Sequence, residues 1–528
     1  MVIFAADYVR DMRTRNTKLQ TFLLLALGSE VLYALLAALG DLRPHIPTFL
    51  LCFGLLFLLY WFSARLFFGL RSSDPTAEAA PPPAGTDTPA WLGRFLQHVR
   101  RQAFLSNREV LAVGLTFAAI FRLTLLLTPP SLSDDIYRYV WDGRVANQGI
   151  NPYQYPPQAD ELQALQDNQI YPRINHKEVS TIYPPVLQLL FAGLYRLAPG
   201  VTGFKLAFVL FDLLTALVLL GILKKLGLPP VRVLLYAWNP LVVIEFSGSG
   251  HADAFGIFLL SVALWFLVSS RVHLANVFLA LSFLTKFIAA LLFPLLVTLR
   301  KQARLVLFLA FVLVVAFLYL PYVDAGGQLF HGLKVYSEKW QFNASLFNLV
   351  RVGVHALLPQ SVVVKYMIEP YGYAADAQTI ASRSVDLALW LSKGLMAGIF
   401  LGLLVYYWRR LKSDLATRGE IWVFQFGLIL FGWFFLLSPT VQPWYLGWLM
   451  PFLVVTPKRA WLLLTGLVGL SYWTLAGYTE SGVWQESEWV LWLEYVPFYA
   501  LLILDAVRSR LARGRRLFSR RRRELKPA

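Results

Sequence analysis

Two adjacent carboxylates, Asp134 and Asp135, follow an apolar run at residues 111–127 that is closed by Pro129 and Pro130. Arg138, Tyr139, Trp141 and a third carboxylate, Asp142, come directly after, and Gly143 and Asn151-Pro152-Tyr153 add turn residues. A carboxylate pair where a membrane helix meets water costs free energy unless a ligand binds it or water reaches it. Such a pair has two natural uses. It can act as general base on a hydroxyl nucleophile, or it can hold a divalent cation against phosphate oxygens. Arg138 and Lys286, if they face one cavity, would neutralise a departing phosphate. Trp141, Tyr153, Trp340 and Trp444 offer flat faces to sugar rings and isoprenoid tails, although Trp and Tyr also anchor at membrane interfaces whatever the function. The sequence requires no cofactor; a divalent cation is compatible with it, and no metal ligand is assigned.

The elements that must position these residues are membrane helices. The chain of 528 residues is 57% hydrophobic and its mean hydropathy is +0.55, far from a soluble composition. Apolar runs of about twenty residues recur along it, each long enough to cross a bilayer. The sequence therefore predicts an all-α, polytopic membrane protein of about 14 membrane segments, with interfacial helices in its outer loops. Cys52 is the single cysteine, which excludes an intramolecular disulfide. The net charge of +17 sits in short gaps between apolar runs and in the tail at 513–523. That distribution follows the positive-inside rule and argues for contact with membrane lipid, not nucleic acid.

In chain order, residues 1–70 hold a pair of membrane helices (19–39 and 47–70). Residues 71–106 form a cytoplasmic linker, Pro- and Ala-rich at 72–90. A module at 107–478 follows, then a last membrane helix within 479–510 and a basic cytoplasmic tail at 511–528. A third helix at 109–128 delivers the Asp134-Asp135 pair to the far side of the membrane. The run at 186–195 is too short to span and is expected to lie along the outer leaflet. Helices are expected at 204–223, 231–246, 252–267 and 305–320. The run at 272–299 is flanked by Arg271 and by Arg300 and Lys301, so it reads as two shorter legs folding near Lys286. A second outer loop at 322–383 is expected to carry a short interfacial helix near 346–358.

With this topology the polar residues crowd the outer helix ends: Asp134, Asp135, Arg138 and Asp142, then Glu245, His251 and Asp253, then Glu338, Trp340 and Asn343, then Gln442, Trp444 and Tyr445. The midplane holds little charge, with Asp212 the main candidate. Transporters keep binding groups near the midplane; an enzyme working at one membrane face would place them at the helix ends. A polyprenyl-linked saccharide flippase or transporter is the alternative reading.

Ser133-Asp134-Asp135, the run from Tyr137 through Gly143, and Gly149-Ile150-Asn151-Pro152-Tyr153 resemble the first outer loop of GT-C glycosyltransferases. So do Tyr183-Pro184-Pro185, Gly250-His251-Ala252-Asp253, Thr285-Lys286, the run from Lys339 to Asn343, and Gln442-Pro443-Trp444-Tyr445. The likeness spans residues 107–478 and is nearest to bacterial polyprenyl-phosphate-mannose-dependent mannosyltransferases and their PIG-M-like relatives. It implies a GT-C-like bundle that moves a sugar, expected to be mannose, from a polyprenyl-phosphate donor to a glycan or glycolipid acceptor. Transfer would invert the anomeric carbon on the periplasmic side of a bacterial inner membrane. By position, Asp134 would be the base, with Asp135 beside it and Arg138 and Lys286 on the donor phosphate. Tyr139, Trp141, Asp142, Asn151, Tyr153, Tyr183, His251, Asp253, Glu338, Trp340, Asn343, Gln442, Trp444 and Tyr445 would line the substrate site. One feature departs from the pattern: the motif usually follows the first membrane helix, whereas here two helices and a linker precede it.

Overall fold

A computed structural model describes residues 2–68, 70, 107–299 and 301–524. The expected linker at 71–106 lies outside the described residues. The fold is helical and without strands among the described residues, as the composition predicts. Among the described residues, eight helices are long and apolar enough to cross a membrane, or nine if the pair Leu346–Leu357 and Gln360–Tyr371, bent by 97°, counts as one span. Six further apolar helices have 10–17 residues, short of the roughly 20 that a span needs. The expected number of about 14 membrane segments is not matched by helices of spanning length.

The first helices are α1 (Val2–Leu39) and α2 (Ile46–Leu66), joined by a tight turn at Arg43–His45. They are packed into the protein rather than appended to it. Phe22 stacks on Trp238 at 4.8 Å, the Tyr60 hydroxyl donates to the Leu235 carbonyl at 2.8 Å, and Phe53 and Phe57 lie where side chains at Gly469 and Gly466 would otherwise be.

Helix α3 (Asn107–Leu126) leads to α4 (Asp135–Asn147), which opens immediately after Asp134. Asp135 in its first turn and Arg144 in its last complement the helix dipole. After an irregular loop, Pro185 in the first turn opens α5 (Pro185–Leu197), whose missing N–H costs nothing there. This 13-residue helix is amphipathic, burying Val186, Leu187, Gln188 and Phe191 against its neighbours. Helix α6 (Val201–Lys225) follows.

The single helix expected at 231–246 is instead a chain of short turns: Pro230–Val233, Leu234–Ala237, Pro240–Val243 and a π-turn at Ile244–Gly248. Pro240 cannot continue a helix, and the Asn239 side chain caps the next turn by accepting from Leu241 N at 3.0 Å. Widened π-turns often mark functional sites, and this one carries Glu245. Helix α7 (Asp253–Val268) starts beyond it.

The two legs expected at 272–299 are present as α8 (Val272–Phe283) and the 3-10 turn Phe287–Leu292 running into α9 (Phe293–Leu299). Lys286 sits at the break between them, in extended backbone. The second expected loop is largely helical. Helix α10 (Arg304–Tyr319) runs on through tight turns at Leu320–Phe330 into α11 (His331–Lys339), because Pro321 falls in the first turn, where a proline is tolerated. Then come α12 (Leu346–Leu357), α13 (Ala377–Arg418), α14 (Ile421–Leu437), α15 (Met450–Val455), α16 (Arg459–Leu467), α17 (Trp473–Ser481) and α18 (Glu488–Glu524).

Candidate active site

The starts of α4 and α7, the break before α9 and the turn Pro443–Leu449 converge on one polar recess. Asp253, in the first turn of α7, receives Lys286 Nζ and Trp448 Nε1 on the same oxygen, each at 2.6 Å. The ammonium of Lys286 also lies 3.5 Å from the centre of the Tyr445 ring, and the Tyr445 hydroxyl meets that of Tyr336 at 2.7 Å. The cation is therefore held by one carboxylate and one aromatic face, with ammonium protons to spare for an anion.

His251 supplies the next wall. Its ring stacks on Trp444 at 3.7 Å, its Nε2 is 3.3 Å from Glu245 Oε2, and its Nδ1 is 3.9 Å from Asp135 Oδ2. Neither nitrogen makes a hydrogen bond. The preceding Gly250 has φ +73, and a β-carbon there would lie 2.5 Å from Ile136. Glycine is what lets the chain turn His251 inward so close to α4. The other Glu245 oxygen accepts from the Tyr472 hydroxyl at 2.6 Å.

Asp135 faces this recess. About a quarter of its side chain reaches solvent, yet the surrounding protein strips enough water to push its carboxyl above the usual range. His251, Lys286 and an Asn175 hydrogen bond oppose that rise, and Asp253 adds to it. Asp134 points elsewhere: its Oδ1 accepts from Arg43 at 2.5 Å, an arginine from the turn between α1 and α2. The two neighbouring carboxylates thus have different partners.

Several expected site residues are placed away from the recess or are already engaged. Arg138 is buried, donating to Asp142 at 2.8 Å and to the Val179 carbonyl at 2.9 Å. Asp142 also takes Thr181 and Gln188, so this pair ties α4 to the loop before α5. Asn151 bonds Asp324 and the Tyr322 carbonyl, and the Tyr153 hydroxyl donates to the Tyr183 carbonyl. Together they join the first loop to the second. Tyr139 is buried, stacked on Phe191 at 4.8 Å and edge-on to Tyr183. Trp141 is buried against Tyr171. Asn343 has φ +52 and bonds Glu494 through its side chain and Glu486 through its N–H, fastening the second loop to α18. Trp340 lies over His176 at 4.5 Å and beside Tyr336 at 5.2 Å, at the rim of the recess. Glu338 is half-buried beside it, its carbonyl accepting from Lys393. Gln442 is half-buried at the start of the turn that carries Trp444 and Tyr445.

Sequence reasoning missed Tyr336, Asn175 and Trp448 as members of this site. Trp448 repeats Trp444 at a four-residue interval, which would have suggested one helical face; Tyr336 and Asn175 carried no such signal. Asp212, the main candidate for a midplane charge, pairs with fully buried Arg122 at 2.5 Å. It also accepts from the Tyr236 hydroxyl and takes no part in the recess. Among the described residues no group of three or more His, Cys, Asp or Glu side chains is arranged to hold a metal ion.

Residues 88–302 match a family model described as alpha-(1->6)-mannopyranosyltransferase, N-terminal domain, of the MptA_B family. The match supports a GT-C-like mannosyltransferase. The matched stretch contains Asp134, Asp135, Glu245, His251, Asp253 and Lys286. Tyr336, Trp340, Trp444, Tyr445 and Trp448 lie beyond it. The finer likeness to PIG-M-like enzymes is carried by the motifs alone. No curated protein matches the chain.

Proposed function

We propose that this mannosyltransferase moves a mannosyl group from a polyprenyl-phosphate donor to a hydroxyl of a glycan or glycolipid acceptor, with inversion, at the non-cytoplasmic face of a bacterial inner membrane. The observation that carries the reading is the convergence of Asp135, His251 and the Lys286–Asp253 pair in one recess at the helix ends. A sugar hydroxyl is far too weak an acid to ionise at neutral pH, so attack on the anomeric carbon is helped by a carboxylate that takes its proton as the bond forms. Such assistance contributes roughly 10² to 10⁴ in rate. Inversion needs one base, opposite the leaving group.

Asp135 is the base in this reading. It faces the recess and lies within the fields of Lys286 and His251, whereas an oxygen of Asp134 is engaged by the Arg43 guanidinium. Lys286 meets the departing phosphate. Arg138, engaged by Asp142, is not assigned that role. The aromatic wall of Trp444, Tyr445, Tyr336 and Trp340 receives the sugar.

Single-turnover transfer by the Asp135→Asn and Asp134→Asn variants, with purified protein and a polyprenyl-phosphate mannose, is the direct test. Asp135→Asn is expected to bind the donor and lose transfer by roughly 10² or more. If it keeps near wild-type turnover while Asp134→Asn collapses, the base is Asp134. The same assay separates transfer from transport: transfer consumes the donor and releases polyprenyl phosphate, whereas a flippase would leave the donor intact and release none.

A further inference from the structure

We propose that Arg43 is a positioning residue of the transfer site, so that the turn between α1 and α2 is a working part of the catalytic loop. The inference rests on the reading of Asp135 as base and concerns what holds that base in place. Leu42 and Arg43 reach across to the segment that enters α4. The Leu42 N–H donates to Ser131 Oγ at 2.9 Å, Arg43 Nε donates to the Ser131 carbonyl at 2.8 Å, and Arg43 Nη2 donates to Asp134 Oδ1 at 2.5 Å. Ser131 is 6% exposed, whereas Arg43 and Asp134 keep 36% and 28% of their side chains open to solvent.

One planar guanidinium thereby spans a backbone carbonyl and a side chain three residues further on; an ammonium can replace its charge beside Asp134 but not both bonds at once. The consequence falls on Asp135. Its backbone is the residue directly after the one that Arg43 grips, and it begins α4. With Arg43 in place, the Asp134 carboxylate is turned toward α2 and neutralised. Without it, a second negative charge is free to swing beside the base, and the N-terminus of α4 loses its tie. A displacement of about 1 Å in a reacting group is enough to cost roughly a hundredfold in rate.

The rest of the α1–α2 pair is held well apart from Arg43, by Phe22 on Trp238 and by Tyr60 on Leu235. Changing Arg43 should therefore disturb the tie and leave the docking of the helices.

The test uses full-length protein and the polyprenyl-phosphate mannose transfer assay, with Arg43→Gln, Arg43→Lys and Asp135→Asn measured together. Arg43→Gln keeps much of the bulk and loses the charge. It is expected to lower kcat by roughly 10- to 100-fold with the donor KM within about twofold of wild type. Arg43→Lys, which restores the charge on Asp134, should recover at least about half of that loss on a logarithmic scale. A merely structural role would lower the thermal midpoint and leave kcat per folded molecule unchanged, with no rescue by lysine. The proposal is overturned if Arg43→Gln keeps kcat within about twofold, if the defect lies in KM alone, or if lysine gives no recovery. Retained turnover in Asp135→Asn would instead bring down the assignment of the base, and is recognised from that arm alone.

Discussion

At the residue scale, two adjacent aspartates have been given opposite surroundings. Asp135 sits among His251, Lys286 and Asp253, and the loss of hydrating water raises its carboxyl above the ordinary value, which is about 4. A base works only when ionised, so turnover should fall as pH drops through that raised value. The acid limb of kcat/KM is thus expected above the ordinary carboxylate range. Lys286 pulls the carboxyl down; Lys286→Met removes that pull and should move the limb to higher pH, besides weakening donor binding. A pH–rate profile of both proteins checks this, and a limb that does not move would place Lys286 outside the field of the base. Much of this chemistry was legible in the chain. Asp135, His251, Asp253, Lys286, Trp444 and Tyr445 stand out as polar or aromatic groups at helix ends, and they meet. Arg138 misled because a basic residue beside acids reads as a phosphate ligand; its four-residue spacing from Asp142 allowed an internal ion pair equally well. Arg43 was invisible for a different reason: 91 residues separate it from Asp134, and no local pattern encodes such a contact.

At the element scale, the site depends on how closely α7 approaches its neighbours. Gly256 lies one turn into α7, and a β-carbon there would fall 2.4 Å from Thr285 Oγ1 and 2.7 Å from the Trp448 ring. Thr285 directly precedes Lys286 in the chain, and Trp448 donates to Asp253. Gly256→Ala is expected to cost about 1–3 kcal/mol through overpacking and to push the indole off Asp253, so that donor KM rises along with the loss of stability. Gly353→Ala on α12, where nothing lies within 4 Å, is the control and should be neutral or slightly stabilising. Thermal melts and donor titration of the two variants decide it; equal behaviour would mean that the close approach has no bearing on the site. Helix ends such as those of α3 and α6 were read within a few residues, because apolar length and flanking charge are local signals. The turns at 230–248 were not, since an apolar run reads as a helix until the tertiary role of Asn239 and Pro240 is known.

At the scale of the whole molecule, α3 and α6 are joined by an ion pair that is sealed from solvent on both sides. Arg122 and Asp212 each have 0% exposure, and Arg122 also donates to the carbonyls of Ala118 and Ala237. Removing one partner leaves an uncompensated buried charge, which typically costs about 3–5 kcal/mol. Asp212→Leu is therefore expected to unfold at much lower denaturant or temperature, and Arg122→Met combined with Asp212→Leu to cost less than the sum of the singles. Additive losses in a double-mutant cycle would show that the two side chains do not act as a unit. The pair also bears on how the protein is made. An aspartate near the middle of an isolated membrane helix raises the free energy of insertion by about 2.5–3.5 kcal/mol. Arg122 precedes Asp212 by 90 residues, so at ordinary rates of synthesis the arginine is on offer roughly 5–18 s before α6 emerges. The order of the chain thus places the arginine of this pair in the membrane before its aspartate partner emerges.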